Sequence, residues 1–183
     1  CGDFPSLGER SLRFDGLTDR IDLTQDMIAG NYATISAWFW ATDNPTYTSD
    51  SGRPIYAQGA TATQFADFAL GVIASTNSLI LEMGQPYVLA DDIALETWNH
   101  VVVSFDNGMV STYVNGQLKS EIESDNVSIN SDSDGAFIGR RWSLDRSDNN
   151  RYTWDGYLDD IAIWDTILTV NNRENLYKQD LRI

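Results

Sequence analysis

The sequence has one cysteine, one histidine, few basic side chains and no long apolar run, and each shortage narrows what the chain can do. Cys1 is the first residue, so no disulfide can close within the chain and the framework must rest on packing. His100 stands alone, which rules out a histidine-rich metal centre, and no cysteine or serine partner for a catalytic imidazole is in view. Twelve Lys and Arg are set against 27 Asp and Glu, and the resulting net charge of −15 repels a phosphate backbone. Nucleic acid is therefore not expected as a partner. The same field keeps a surface soluble and attracts divalent cations. No apolar stretch approaches the roughly 20 residues of a membrane-spanning helix, so no transmembrane span is expected.

What is present is a succession of short β-type runs separated by turn residues: "SLRFDG", "RIDL", "TISAWFWAT", "RPIYAQG", "DFALGVIAS", "SLILEMG", "HVVVSFDNG", "MVSTYVNGQL", "AFIGRR" and "YLDDIAIWD". This pattern predicts an all-β fold, an antiparallel β-sandwich. Asn107-Gly108 and Asn115-Gly116 suit the positive φ of two-residue hairpin turns, so residues 98 to 122 read as a meander. Only the tail breaks the period. In "TVNNRENLYKQD", Thr169 can cap a helix of one or two turns with Val170, Arg173, Leu176 and Tyr177 near one side, expected at the sandwich edge. At 183 residues one domain is the economical reading, burying roughly 70% of the surface its unfolded chain would expose.

One stretch invites a calcium-sensor reading. "NSDSDGAFIGRR", residues 130 to 141, has the first half of a helix-loop-helix calcium loop, but Arg141 stands where a bidentate Glu should close the cage. The stretch reads instead as a polar turn closed by glycine, followed by the strand Ala136-Phe137-Ile138-Gly139. The first residue carries a second signal. A cysteine followed by "GDFPSLGE" is how a bacterial lipoprotein begins once its signal peptide is gone, with Cys1 as the lipid anchor; a chain boundary falling on cysteine by chance reads the same.

Three segments in order resemble the laminin-G-like and pentraxin-like members of the concanavalin A-type jelly rolls. They are "LRFDGLTDRIDL" with "TISAWFWAT", then "WNHVVVSFDNGMVSTYVNGQL", then "IGRR" with "WDGYLDDIAIWDTILT", spanning Ser11 to Tyr177. The resemblance implies a jelly-roll domain over residues 11–183, preceded by a linker over residues 1–10, and a short C-terminal helix. It implies that His100 is a structural histidine held inside the sandwich. It leaves function open, because the fold hosts lectins, adhesion modules, glycosidases and lyases.

Retaining glycosidases of the fold carry Glu-x-Asp-x-Glu on one strand, whose outer carboxylates must stand about 5 Å apart. "EIESD" places Glu121, Glu123 and Asp125 at that spacing, yet it follows the "WNHVVVSFDNGMVSTYVNGQL" segment where the catalytic strand should precede it. The preceding "DFALGVIASTNSLILEMG" offers Asp67 and Glu82, far apart in sequence. No aromatic flanks "EIESD" to raise a carboxyl pKa, so it reads as a solvated outer face and the chain as not an enzyme.

The resemblance also implies one structural calcium ion where the N-terminal segment meets the last strand. Asp159 is the first candidate ligand, counted as sharing the core-facing side with Ile161 and Ile163; Asp15 and Gly16, the latter through its carbonyl, follow. Backbone amides of a neighbouring turn could satisfy Asp159 without any metal. Asp132 and Asp134 are further candidates by composition alone.

The leading expectation is a non-catalytic binding module, extracellular or on a cell surface, recognising a glycan or a surface protein. Its candidate ligand-binding residues are Trp142, Arg146, Asn149, Tyr152 and Trp154, in the polar loop "WSLDRSDNNRYTWDG". Sugar rings stack on aromatic planes while their hydroxyls pair with Asp, Asn and Arg. Trp154 falls where the family has a core-closing aromatic, which favours packing for it. The rival is a lipid-anchored structural accessory subunit, such as an outer-membrane lipoprotein, docking against a larger surface complex, since interfaces also favour Trp, Tyr and Arg.

Overall fold

In a computed structural model, which describes residues 11–43, 52–59, 68–125, 128–129, 135–140 and 152–180, the alternating stretches become strands. Among the described residues these are β1 (Leu12–Asp15), β2 (Ile21–Leu23), β3 (Tyr32–Ala41), β4 (Arg53–Gln58), β5 (Phe68–Ile73), β6 (Ser78–Glu82), β7 (Pro86–Ala90), β8 (Trp98–Asp106), β9 (Met109–Val114), β10 (Gln117–Glu123), β11 (Ala136–Ile138) and β12 (Asp155–Trp164). Helix α1 (Val170–Asp180) follows them. They form two six-stranded antiparallel sheets, a front sheet ordered β1-β12-β3-β8-β9-β10 and a back sheet ordered β2-β11-β4-β5-β6-β7. This is the antiparallel jelly-roll sandwich that the sequence predicts. Among the described residues no helix is long and apolar enough to cross a membrane.

The core lies between the sheets and is built by period-two alternation. From β3 come Ala33, Ile35, Ala37 and Phe39; from β8 come Val101, Val103 and Phe105; the back sheet answers with Phe68, Leu70, Val72, Leu79 and Leu81. Every residue of β4 and β6 is buried, so their two faces are both covered. Pro54 fits within β4 because the ladder to β5 shifts there, a bulge that tolerates a missing amide donor.

Both predicted hairpins form with the expected backbone. Asn107 and Gly108 have φ of 48° and 91°, and Asn115 and Gly116 have 51° and 76°, the left-handed pair of a type I′ turn. Thr169 caps the helix as expected: its hydroxyl accepts the Asn172 amide at 3.3 Å and its carbonyl the Arg173 amide at 3.0 Å. Two features differ from the sequence reading. Strand β7 carries no strand signal in the sequence, because Pro86 opens it and its side chains show no clean alternation. Helix α1 has 11 residues rather than one or two turns, and it lies against the outer face of the front sheet rather than at the sandwich edge.

Candidate aromatic binding site

The residues that β3 turns away from the core are as informative as those it buries. Trp38 and Trp40 alternate with Ala37, Phe39 and Ala41, and so stand on the outer face of the front sheet. Registry brings neighbours to them from both sides: Trp40 is opposite Tyr157 on β12 and Trp98 on β8, while Trp38 is opposite Asp159 and His100. Two rows of rings result.

The inner row is roofed by α1. Tyr177 stacks on Trp38, with ring centroids 5.8 Å apart and planes 21° from parallel, and lies 5.9 Å from the His100 ring. Arg173 sits over the Tyr113 ring at 4.4 Å, a cation–π contact that fixes the helix one turn earlier. His100 is 2% exposed, its Nε2 is 2.9 Å from the Ser36 hydroxyl, and its ring is 5.0 Å from that of Trp38. It is a structural histidine as expected, but it is held between sheet and helix, not inside the sandwich. Strand alternation requires this, since Val101 occupies the core side.

The outer row is partly exposed. Tyr157 meets Trp40 edge to face, with centroids 5.6 Å apart at 82°, and Trp98 at 6.3 Å and 52°. Arg13 on β1 extends the row, since it is opposite Tyr157. Asp155 and Asp159 flank Tyr157 at two residues on either side of the same strand face. Trp40 is the penultimate residue of β3 and Trp98 the first of β8, so the cluster sits at the rim of the sheet. Sequence reasoning passed over these rings. The signal was present in "AWFWA", "WNH" and "YLD", where each ring alternates with a core residue.

The loop-borne candidates fare differently. Trp142, Arg146 and Asn149 lie outside the described residues, as do Cys1, Asp132 and Asp134. Tyr152 is partly buried. Trp154 corrects the expectation of a binding role: it is 0% exposed, packs edge-on to Phe39 at 5.8 Å, and passes its amide to the Gly139 carbonyl at 2.7 Å. A ring with no accessible face cannot stack on a ligand. Gly139 has φ of 75°, and a Cβ there would collide with the Phe14 ring beneath, which accounts for the glycine in "IGRR".

The three residues assigned to one calcium ion are not brought together. Asp15 is opposite Asp155, so Asp159 lies four residues farther along β12, about 13 Å away at strand rise. Asp15 is committed locally: its Oδ1 accepts the amides of Leu17 and Thr18 at 2.8 Å and of Asp19 at 3.1 Å. Those backbone donors, Thr18 first, lower its carboxyl pKa to about 2. The Gly16 carbonyl accepts the Thr153 hydroxyl. Nor does Asp159 face the core. A bulge between Asp159 and Ala162, with Asp160 at φ 44°, shifts the alternation, so Leu158 and Ile161 pack inward while Asp159 stands outward opposite Trp38. Its Oδ1 accepts the Asp160 amide at 2.9 Å. Among the described residues no three His, Cys, Asp or Glu side chains are grouped to hold a metal. Glu121 and Glu123 stand exposed on the outer face of β10, with Glu121 3.4 Å from the Ser111 hydroxyl.

Known proteins match this arrangement at the level of fold. A comparison with curated protein sequences gives no match. Among solved structures, domain 4 of AbnA, an extracellular arabinanase from Geobacillus stearothermophilus in complex with arabinotriose, superposes with a TM-score of 0.70 at 18% identity, over 94% of this chain and 79% of that one. The heptameric SAP-like pentraxin of Limulus polyphemus gives 0.63 at 20% identity, over 88% and 76%. The CBM40 of the Ruminococcus gnavus IT-sialidase, bound to α2,3-sialyllactose, gives 0.64 at 13% identity, over 92% and 97%. The sequence model of the concanavalin A-like lectin/glucanases superfamily matches residues 15–172, and this chain belongs to that superfamily.

Proposed function

We propose that this protein is a non-catalytic glycan-binding module that works outside the cell or at its surface. The observation that carries the reading is the partly exposed cluster of Trp40, Tyr157 and Trp98, bordered by Asp155, Asp159 and Arg13. Aromatic faces receive the C–H faces of sugars, and planar polar side chains beside them pair with hydroxyls. The membership in a superfamily of lectins and glucanases supports it, as do neighbours whose structures hold arabinotriose and sialyllactose. The non-catalytic part rests on Glu121 and Glu123, which stand exposed along one strand face rather than opposed across a cleft.

A printed glycan array followed by calorimetry on the hits tests the reading. Binding by the intact protein, with no release of reducing sugar from the bound glycan, supports it. An array without hits would turn attention to a docking role against a surface protein, and hydrolysis abolished by Glu121→Gln would replace the module with an enzyme.

A further inference from the structure

The shape of the aromatic cluster says more than that a sugar can stack there. A polysaccharide that lies along a sheet needs a track of rings with roughly parallel faces. Here the Trp40 and Tyr157 planes are 82° apart, the Tyr157 and Trp98 planes 52° apart, and each of these centroid pairs lies within 6.3 Å. Such rings form a corner about the size of one sugar, not a track. The corner is also closed on one side. Moving inward from the rim, the next row is Asp159, Trp38 and His100, and Tyr177 already stacks on Trp38. Strand β9 does not reach the level of Trp98, its last pairing with β8 being Val114 with Val101, so the platform has no continuation on that flank. Among the described residues, a bound chain has no path inward or toward β9.

Charge narrows the ligand further. Among the described residues, the carboxylates Asp15, Asp155 and Asp159 and the guanidinium of Arg13 border the corner, on a chain of net charge −15. A carboxylated sugar would enter against that field, whereas a neutral sugar meets no such repulsion. Resting on the glycan-binding reading above, we infer that the Trp40–Tyr157–Trp98 corner recognises the neutral terminal sugar of a glycan, not the interior of a chain or an acidic end.

The test uses the intact protein on an array carrying neutral glycans beside uronate- and sialate-terminated ones, then calorimetry on a homologous series, from disaccharide to hexasaccharide, of the strongest neutral hit. The hits should share a neutral terminal sugar, and Kd should stay flat within about twofold along the series. Trp40→Ala and Tyr157→Ala should each weaken binding about tenfold or more, while Val88→Ala, on the far edge of the back sheet, should not. Near-UV circular dichroism checks each fold, and Trp98→Ala replaces Trp40→Ala if that variant does not fold. Affinity that climbs with every added unit, hits confined to acidic glycans, or binding retained by the folded variants would overturn the inference while leaving a glycan-binding module in place. No glycan bound at all would remove the module and the inference together.

Discussion

Gln58 is the side chain whose loss should damage this fold out of proportion to its size. Residues 24 to 31 carry the chain from β2 in the back sheet to β3 in the front sheet, and that crossing is held by buried polar contacts. Gln58 Nε2 donates to the Ile28 carbonyl at 2.6 Å, while its Oε1 accepts the Ile28 amide at 2.9 Å and the Tyr56 hydroxyl at 2.6 Å. Gln58 is 1% exposed, Tyr56 0% and Ile28 2%, so water cannot substitute for the amide. Burial pushes the Tyr56 hydroxyl pKa up, which keeps that donor neutral. Gln58→Leu strands the Ile28 N–H and C=O and leaves the Tyr56 O–H without its acceptor. At about 1–3 kcal/mol for each of the three unsatisfied buried groups, the cost is about 3–9 kcal/mol. At roughly 2–4 °C per kcal/mol for a chain of this size, melting should fall by about 10 °C or more. Tyr56→Phe provides the internal comparison. It orphans the Met27 amide, 3.2 Å from the hydroxyl, but Met27 is 44% exposed and water can reach it, so about 1 kcal/mol is expected. Urea denaturation of both variants, read by tryptophan fluorescence, decides the matter. If Gln58→Leu costs no more than Tyr56→Phe, the crossing is held by something other than this network.

Two further outcomes follow from local geometry. The Asp15 carboxyl is held near pKa 2, below its usual 3.8, so its stabilising effect is complete above about pH 4 and is lost as pH falls through about 2; the gap in urea midpoint between the wild type and Asp15→Asn should close across that window, and a gap independent of pH would show that the charge is not what the turn uses. Tyr177→Ala removes the ring that pins α1 to Trp38 and His100, and should cost about 2–3 kcal/mol, with hydrogen exchange rising in α1 while β3 and β8 stay protected; unchanged exchange in α1 would mean that the Arg173 contact suffices.

The sandwich was legible because its signals are local. Alternation along "HVVVSFDNGMVSTYVNGQL" and two Asn-Gly turns specify a meander without knowledge of any partner. The site was less legible, because it is made by registry between strands distant in sequence. Trp40, Trp98 and Tyr157 become neighbours only when β3 lies between β8 and β12, an order no window of sequence contains. Attention to the polar loop was drawn by composition, which cannot distinguish Trp154, sealed in the core, from Trp40, partly open on the sheet three residues after Ala37.

Asp159 shows how one local irregularity changes a functional argument. Counting by twos from Ile163 and Ile161 puts its carboxylate in the core, where a cation would be the natural partner. The bulge after it spends one extra residue, Asp160 at φ 44°, and so turns Asp159 to the side of Tyr157 and Trp38. A non-glycine side chain at positive φ is uncommon for most residue types but accessible to aspartate. The consecutive pair Asp159-Asp160 thus supplies both the residue that forms the bulge and the carboxylate that the bulge delivers to the aromatic face. With regular pairing counted from Ile163, Asp159 would face the core together with Ile161, and the outer face beside Tyr157 would lose that carboxylate.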